Sequence, residues 1–404
     1  MACFMLVIIF QQCRDKIILV MFGRFILNEG VLPHMNTTSA SKRLLLSIVV
    51  PIRNEAHFIR QTLSQVKEQD FPKDCFEVLV VNGQSEDNTE AIVKEFIAQN
   101  PKMQIRLLQN RKRLSSAARN IAVKKARGEY ILIIDGHVYL PNSDILRNYM
   151  AAASKHNAKV IGRPQPLDPP DLNYFQRVVA LARRSFLAHS KESFIYSNFE
   201  GFTSPISIGV MYHRSIFNKI GYFDESFDAA EDLEFNYRLE KVGYQCFTSP
   251  GLAIKYYPRS NFSALFHQLR RYGLGRANFI FKHPERFTIE TLLPACLFLA
   301  MLLIPLALIA APFIKYIWII AVTCYLMALS VESLRLLGKH RLSTVLLIPP
   351  IIFTIHSGLG LGLIIGFFKC VKTGLFSICQ RMINFVRVHG YRSIQTKSNG
   401  SPNF

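Results

Sequence analysis

Between residues 44 and 135 the chain alternates short, nearly unbroken apolar runs with longer amphipathic stretches, and few architectures can satisfy that order. LLLSIVVP, FEVLVVN (76–82), MQIRLLQN and EYILIID read as strands. They lack the polar alternation of a sheet with one wet face, so both of their faces must be covered. NEAHFIRQTLSQVKEQ, DNTEAIVKEFIAQN and SSAARNIAVKKARG read as the covering helices. Asn54 is the expected cap of the first, and Asp87 with Asn88 of the second. Asn100 and Pro101 end the second, and Gly128 closes the third. Strand–helix alternation of this kind predicts an α/β fold with a Rossmann-like, mostly parallel sheet. Ligands of such sheets bind beyond the carboxyl ends of the strands. The polar clusters IRNE, NGQSEDN and DGH all fall there.

The rest of the chain divides by composition. Residues 1–43 are apolar but interrupted by Arg14, Asp15 and Lys16, which suits an interfacial anchor or a start assigned too early, with Met35 as the alternative beginning. Residues 160–260 mix a Pro- and Asp-rich loop, a helical stretch from Tyr174 to His189, and short strands. Residues 261–285 are basic and aromatic at helical spacing and predict an interfacial helix. The membrane region, 286–370, holds two to three apolar segments. TLLPACLFLAMLLIPLALIAAPF and YIWIIAVTCYLMALSVESL are each long enough to cross a bilayer. The third, Ser343 to Phe368, carries Pro349, Pro350 and four glycines, and reads as a kinked span or a re-entrant pair of half-helices. RLLGKHR and the basic tail, 371–404, share one side of the membrane only if the third segment does not cross.

Charge narrows the partners. Forty-eight Lys+Arg against 28 Asp+Glu give a formal +20, which favours anionic ligands. Beside long apolar segments this points to a membrane surface and phosphorylated substrates. No nucleic-acid module or basic–aromatic stripe is present, so nucleic acid is not an expected partner. The eight cysteines never fall at CxxC spacing, which speaks against a zinc site or a disulfide framework and fits a reducing compartment.

VVPIRNE, VVNGQSEDNT, ARNIAVKKARGEYILIIDGH, FDAAEDLEFNYRLEKVGY and QLRRY, in that order, resemble a family-2 GT-A glycosyltransferase over residues 44–285. With its C-terminal apolar segments the chain is similar to the membrane-bound exopolysaccharide branch of that family, the succinoglycan glucosyltransferase type. The resemblance implies a nucleotide-sugar site. Pro51 and Glu55 would lie at the nucleotide edge, with Glu55 accepting from a ribose hydroxyl or helping to cap the helix. Asn82 stands where the family usually has an Asp that bonds the base, so base selectivity is open. Arg119 would face the nucleotide or form a surface salt bridge. Asp135 falls on the first carboxylate of the DxD metal motif, and His137 on the second acidic position. A divalent ion, Mn²⁺ or Mg²⁺, is the implied cofactor, with His137 either a ligand or a hydrogen-bond partner of diphosphate or loop backbone.

The resemblance also implies that Asp232 is the general base and that Glu231 orients the acceptor or the loop; as a plain device, both would stabilise a helix start. Gln268, Arg271 and Tyr272 fit QxxR followed by an aromatic. Arg271 would clamp the leaving diphosphate, with Gln268 and Tyr272 shaping the acceptor tunnel and Arg276 extending the basic face. A helix binding anionic lipid is the plainer reading. The implied activity is inverting transfer of a hexose from a nucleotide-sugar, UDP-glucose or similar, to a lipid-linked glycan at a multi-pass plasma (inner) membrane site, with the catalytic domain cytoplasmic. A processive β-glycan synthase, a degenerate scaffold for polysaccharide assembly, and a binding protein without turnover are the competing readings. Tyr272 and the few spans favour single addition.

Overall fold

In the computed structural model residues 44–188, 194–303, 312–337 and 339–372 are described. The four apolar runs form β1 (Leu46–Ile52), β2 (Phe76–Asn82), β3 (Ile105–Gln109) and β4 (Tyr130–Ile133). These four are mutually parallel in the order β3-β2-β1-β4. Antiparallel β8 (Gly209–His213) continues the sheet, followed by β6 (Val160–Gly162), β9 (Cys246–Thr248) and β7 (Gly201–Thr203). The strand order reverses at β1, between β2 and β4, and places the ligand crevice at the C-terminal ends of β1 and β4.

Adjacent residues of one strand feed opposite cores, as continuous apolar runs require. Ile48 and Val50 of β1 pack beneath α1 (Ile59–Lys67), α2 (Thr89–Gln99) and α4 (Ile145–Lys155). Val49, between them, packs beneath α3 (Ser115–Lys125), α6 (Ser215–Ile220) and α7 (Glu231–Lys241). Each such side chain, wholly buried, contributes about 1.5–3 kcal/mol of transfer free energy.

Local starts differ from expectation where loops meet. Asn54 does not cap α1, which begins at Ile59. The Asn54 backbone is left-handed (φ 57°), and its Oδ1 accepts from the Glu86 amide at 2.8 Å. The Glu55 amide donates to Thr89 Oγ1 at 2.7 Å, so the two loops at the sheet edge are laced together before either helix starts. Asn88 makes no side-chain cap; Asp87 takes that part, accepting from the Thr89 amide at 3.0 Å. The helical stretch from Tyr174 is shorter than expected: α5 (Tyr174–Arg183) starts in a full capping box at Asn173.

The third apolar segment is not a re-entrant pair of half-helices. It forms one helix, α11 (Leu342–Lys372), that runs through Pro349 and Pro350. Its first half buries Val345, Ile348, Ile351, Ile352 and Ile355 against Val178, Val179 and Ala182 of α5. Its second half lies along α8 (Phe262–Lys282), the expected interfacial helix. A Cβ at Gly362 would stand 2.1 Å from the Arg270 carbonyl, so the α8 and α11 backbones touch where only glycine fits. One face of α8 therefore packs on α11. Of the first expected span, the described part is the short α9 (Leu293–Leu302); residues 304–311 lie outside the described residues. Among the described residues two helices, Lys315–Leu336 within α10 (Pro312–Leu336) and Leu342–Val371 within α11, are long and apolar enough to cross a membrane. α10 exposes Tyr316, Ile320, Met327 and Leu334, whereas α11 is half buried by protein. The N-terminal segment 1–43 and nearly all of the tail 371–404 lie outside the described residues.

Candidate active site

β4 ends at Ile133, and the chain turns through Asp135, Gly136 and His137 before β5 (Val138–Tyr139) pairs with β10 (Lys255–Tyr256). The turn passes so close to β1 that a Cβ at Gly136 would stand 2.9 Å from Ile52 Cγ2 and 3.1 Å from Glu55 Cγ. Glycine between the two polar residues is therefore a packing requirement. Pro51 lies just beyond the residues of β1 that pair with β4, Leu46 to Val49, so its missing N–H falls where that ladder has ended.

Four charged side chains form a line across this edge. Arg119 of α3 bonds Glu231 at 3.1 Å and stands 4.0 Å from Asp135. Arg163, just after β6, reaches the other Asp135 oxygen at 3.5 Å and donates to the Ile133 carbonyl at 3.4 Å. Burial works against the Asp135 charge, but Arg163 and then Arg119 outweigh it and hold the carboxyl below its usual range. Burial pushes the Glu231 carboxyl up; Arg119 opposes this and Asp232 adds to it. The Nε atoms of Arg119 and Arg163 are buried with no hydrogen-bond partner among the described residues. Two buried donors left open beside an acid are suited to an anion.

Asp232 is exposed, next to the buried Glu231, at the positive end of α7, and its Oδ1 accepts from the Leu233 amide at 2.8 Å. Ala230, before them, is left-handed (φ 64°), a conformation that costs an alanine about 1–2 kcal/mol. The FDAAED turn thus holds strain where the carboxylates are presented.

A second line runs through hydrogen bonds from the Glu55 carboxylate. His137 Nδ1 lies 2.7 Å from Glu55 Oε1, and its Nε2 lies 2.7 Å from the Tyr256 hydroxyl. Gln268 Nε2 donates to Tyr256 Oη at 3.1 Å and to Tyr272 Oη at 3.2 Å. With Nδ1–H donating to Glu55, the Nε2 lone pair accepts from the phenol, which burial keeps protonated. Glu55 Oε1 is therefore tied to His137.

The expected site residues thus divide. Asp135, Arg119, Glu231 and Asp232 converge, and Glu55, His137, Gln268 and Tyr272 join through Tyr256. Asn82 is wholly buried and turned to its own loop: its Oδ1 accepts from the Ser85 amide and hydroxyl, and its Nδ2 donates to Glu90 at 2.6 Å. Arg271 points away from Asp135, donating to the Asp228 carbonyl at 3.0 Å and lying 3.4 Å from its carboxylate. Arg163 and Tyr256 escaped the sequence reading. Arg163 sits in a proline-rich loop, and only the placement of β6 one strand beyond β4, with antiparallel β8 between them, carries it to Asp135.

Among the described residues no cluster of three or more His, Cys, Asp or Glu side chains could by itself enclose a metal. The donor chemistry nevertheless fits a shared site. Asp135 offers a carboxylate, and Glu55 fixes the His137 tautomer with Nε2 as the lone-pair atom, the second-sphere arrangement of many metal histidines. Substrate phosphates complete such sites for ions of the Mg²⁺ type.

An open, mostly parallel sheet with an Asp-Gly-His turn at its reversal point, and a carboxylate pair opening a helix beside it, defines a nucleotide-sugar transferase of GT-A fold. Residues 47–221, from β1 through α6, match the profile of glycosyl transferase family 2. Dolichyl N-acetyl-alpha-D-glucosaminyl phosphate 3-beta-D-2,3-diacetamido-2,3-dideoxy-beta-D-glucuronosyltransferase of Methanococcus voltae is 29% identical over 328 residues, 80% of this chain and 97% of that protein. Succinoglycan biosynthesis protein ExoA of Rhizobium meliloti is 29% identical over 249 residues, 61% of this chain and 73% of that protein. A solved mannosyltransferase from Pyrobaculum calidifontis, in complex with GDP-Man and Mn²⁺, shares the fold at a TM-score of 0.50 and 18% identity, covering 80% of this chain and 87% of that one.

Proposed function

We propose that this glycosyltransferase moves a hexose, by single inverting displacement, from a nucleotide-sugar, with UDP the expected nucleotide, to a sugar hydroxyl on a lipid-phosphate carrier at a membrane surface. The observation that carries the reading is the line Glu231–Arg119–Asp135–Arg163 with Asp232 exposed at its end. Arg119 and Arg163, whose Nε–H groups have no hydrogen-bond partner among the described residues, would bind the donor diphosphate. Asp232 accepts the proton of the acceptor hydroxyl as that oxygen bonds the anomeric carbon and the bond from that carbon to the diphosphate oxygen breaks. Glu231, tied to Arg119, holds the guanidinium in place. Asp135 and His137 Nε2 would hold a divalent ion, Mn²⁺ or Mg²⁺, which when bound neutralises diphosphate charge. The lipid carrier is supported by the exposed apolar α10 and by the printed activity of the Methanococcus voltae relative, whose similarity extends over most of this chain. The same features support a membrane-associated enzyme whose catalytic domain faces the cytoplasm, the side that holds nucleotide-sugars.

The test incubates membranes containing the full chain with a panel of radiolabelled nucleotide-sugars, with and without Mn²⁺ or Mg²⁺, and follows label into the lipid extract. One added sugar in wild type and none with Asp232→Asn is the expected result. A ladder of products would replace single addition by processive synthesis. Equal labelling by Asp232→Asn would remove the assigned base.

A further inference from the structure

Helix α8 has three working faces. Gln268 and Tyr272 look to His137 through Tyr256, and Gly273 and Ala277 meet α11. The third face, with Arg271, Leu274, Gly275, Asn278, Phe281 and Lys282, lines a cavity of about 620 Å³. Its other walls are the loop 226–229 and, from the end of α11, Lys369 and Cys370. The volume falls within the range of about 300–1,000 Å³ common for small-ligand sites.

Three features of the cavity bear on its occupant. Its interior is apolar, with Phe227, Ala229, Leu274, Phe281 and Cys370. Three cations, Arg271, Lys282 and Lys369, line it against a single acid, Asp228. Lys282 is partly neutralised from outside by Asp224 and Glu234, at 2.6 Å each, and Arg271 by Asp228. Finally, it joins the two parts of the molecule that a lipid-borne substrate must meet. Asp228 and Ala229 lead through strained Ala230 straight into Glu231 and Asp232, and Lys369 ends an apolar helix long enough to span a bilayer.

We infer that this cavity seats the phosphate of the lipid carrier together with the first carbons of its apolar chain, and that Arg271 holds this acceptor phosphate rather than the leaving diphosphate. The inference rests on the lipid-phosphate acceptor proposed above. A single-chain apolar tail with a compact anionic head matches an apolar chamber rimmed by an arginine and lysines. The placement also accounts for the direction of Arg271, which bonds the loop of the general base and not the Asp135 line. A phosphate arriving there competes with Asp228 for the guanidinium, so acceptor loading acts on the turn that presents Asp232.

The test uses the full chain in lipid nanodiscs and a farnesyl phosphate carrying a diazirine on its first isoprene unit. Photolysis is expected to label peptides covering 226–229, 271–282 or 369–370. Unlabelled farnesyl phosphate should compete and phosphatidylglycerol should not. Asn278→Trp, which fills the cavity, should weaken labelling about tenfold, and Arg271→Ala should do likewise, with a UDP titration checking that each variant is folded. Labelling elsewhere, labelling indifferent to Asn278→Trp, or equal competition by phosphatidylglycerol would overturn the assignment. Because labelling needs no turnover, it is read independently of transfer. Labelled cavity peptides without any lipid-linked product would sink the proposed activity alone, and product formation without cavity labelling would sink this inference alone.

Discussion

Replacing Tyr256 by Phe should raise the affinity of the site for Mn²⁺. In the structure the His137 Nε2 lone pair is taken by the Tyr256 hydroxyl at 2.7 Å, so an ion that uses Nε2 must first displace the phenol. The Glu55–Nδ1 contact at 2.7 Å is untouched by the substitution and keeps the tautomer. A neutral buried hydrogen bond is worth about 0.5–1.5 kcal/mol net. Its removal from the metal-free state should tighten Mn²⁺ binding by roughly 2- to 13-fold, since about 1.4 kcal/mol is tenfold. The variant also loses the acceptor for Gln268 Nε2 at 3.1 Å, so a fall in stability of about 1–3 kcal/mol should accompany the tighter binding. The assay is a titration of the full chain with Mn²⁺ in the presence of UDP, with free ion read from its paramagnetic resonance signal. His137→Ala in the Tyr256→Phe background is expected to cancel the gain. If Tyr256→Phe binds Mn²⁺ no better than wild type, or if the gain survives His137→Ala, then His137 does not give Nε2 to the ion and belongs to the hydrogen-bond line alone.

Three further outcomes follow from the geometry. Asp232→Asn should lower the transfer rate by about 10²–10⁴ while UDP still binds, because the base is lost and the Asp135 line is not; stopped transfer assays with parallel UDP titrations check it. Gly362→Leu would place side-chain atoms inside the Arg270 backbone of α8 and should destabilise the chain by roughly 1–3 kcal/mol, seen as a lower unfolding temperature in detergent; an unchanged temperature would mean the two helices separate at no cost. Glu77 is buried at the start of β2 with Arg106 at 2.8 Å and Arg127 at 3.1 Å. Burial opposes its charge, but the Arg127 amide, Ser47 and the two arginines win and hold its carboxyl low. A depressed carboxylate adds stability above its unfolded value of about 4.3 and loses it as pH falls through the folded value. Glu77→Ala should therefore cost about 1.5–3 kcal/mol at neutral pH, since the arginines left behind are exposed, and flatten the acid limb of the stability curve.

What the sequence made legible was local or repeated. LSIVVPI and FEVLVVN could only be doubly covered strands, and the polar residues at their ends could only lie together at one edge. Asp135 was singled out because a strand end leaves a signature within a few residues, and the Glu231–Asp232 pair because FDAAED resembles the family's pattern. Partnerships across the fold were not legible. Asn54 looks like a cap until the loop from β2 claims its side chain, and Asn82 looks like a base reader until Ser85 and Glu90 occupy it. Arg163 is one arginine among many until β6, across β8 from β4, brings it to Asp135. The paired prolines of the third apolar segment suggest a break, but a break would expose a face that α5 buries.

Because α8 gives one face to the catalytic residues and another to α11, the transferase domain has no natural cut point. A fragment ending at Lys282 would carry Gly273 and Ala277 as an uncovered seam, and would lose the lysine that closes the chamber beside Asp228. The smallest working unit is then the whole bundle, and solubilising the enzyme by truncation should yield a folded sheet that binds nucleotide but has lost half of its second substrate's seat. Material for crystallisation or screening has to keep α11, with a detergent or lipid disc to satisfy its outer side.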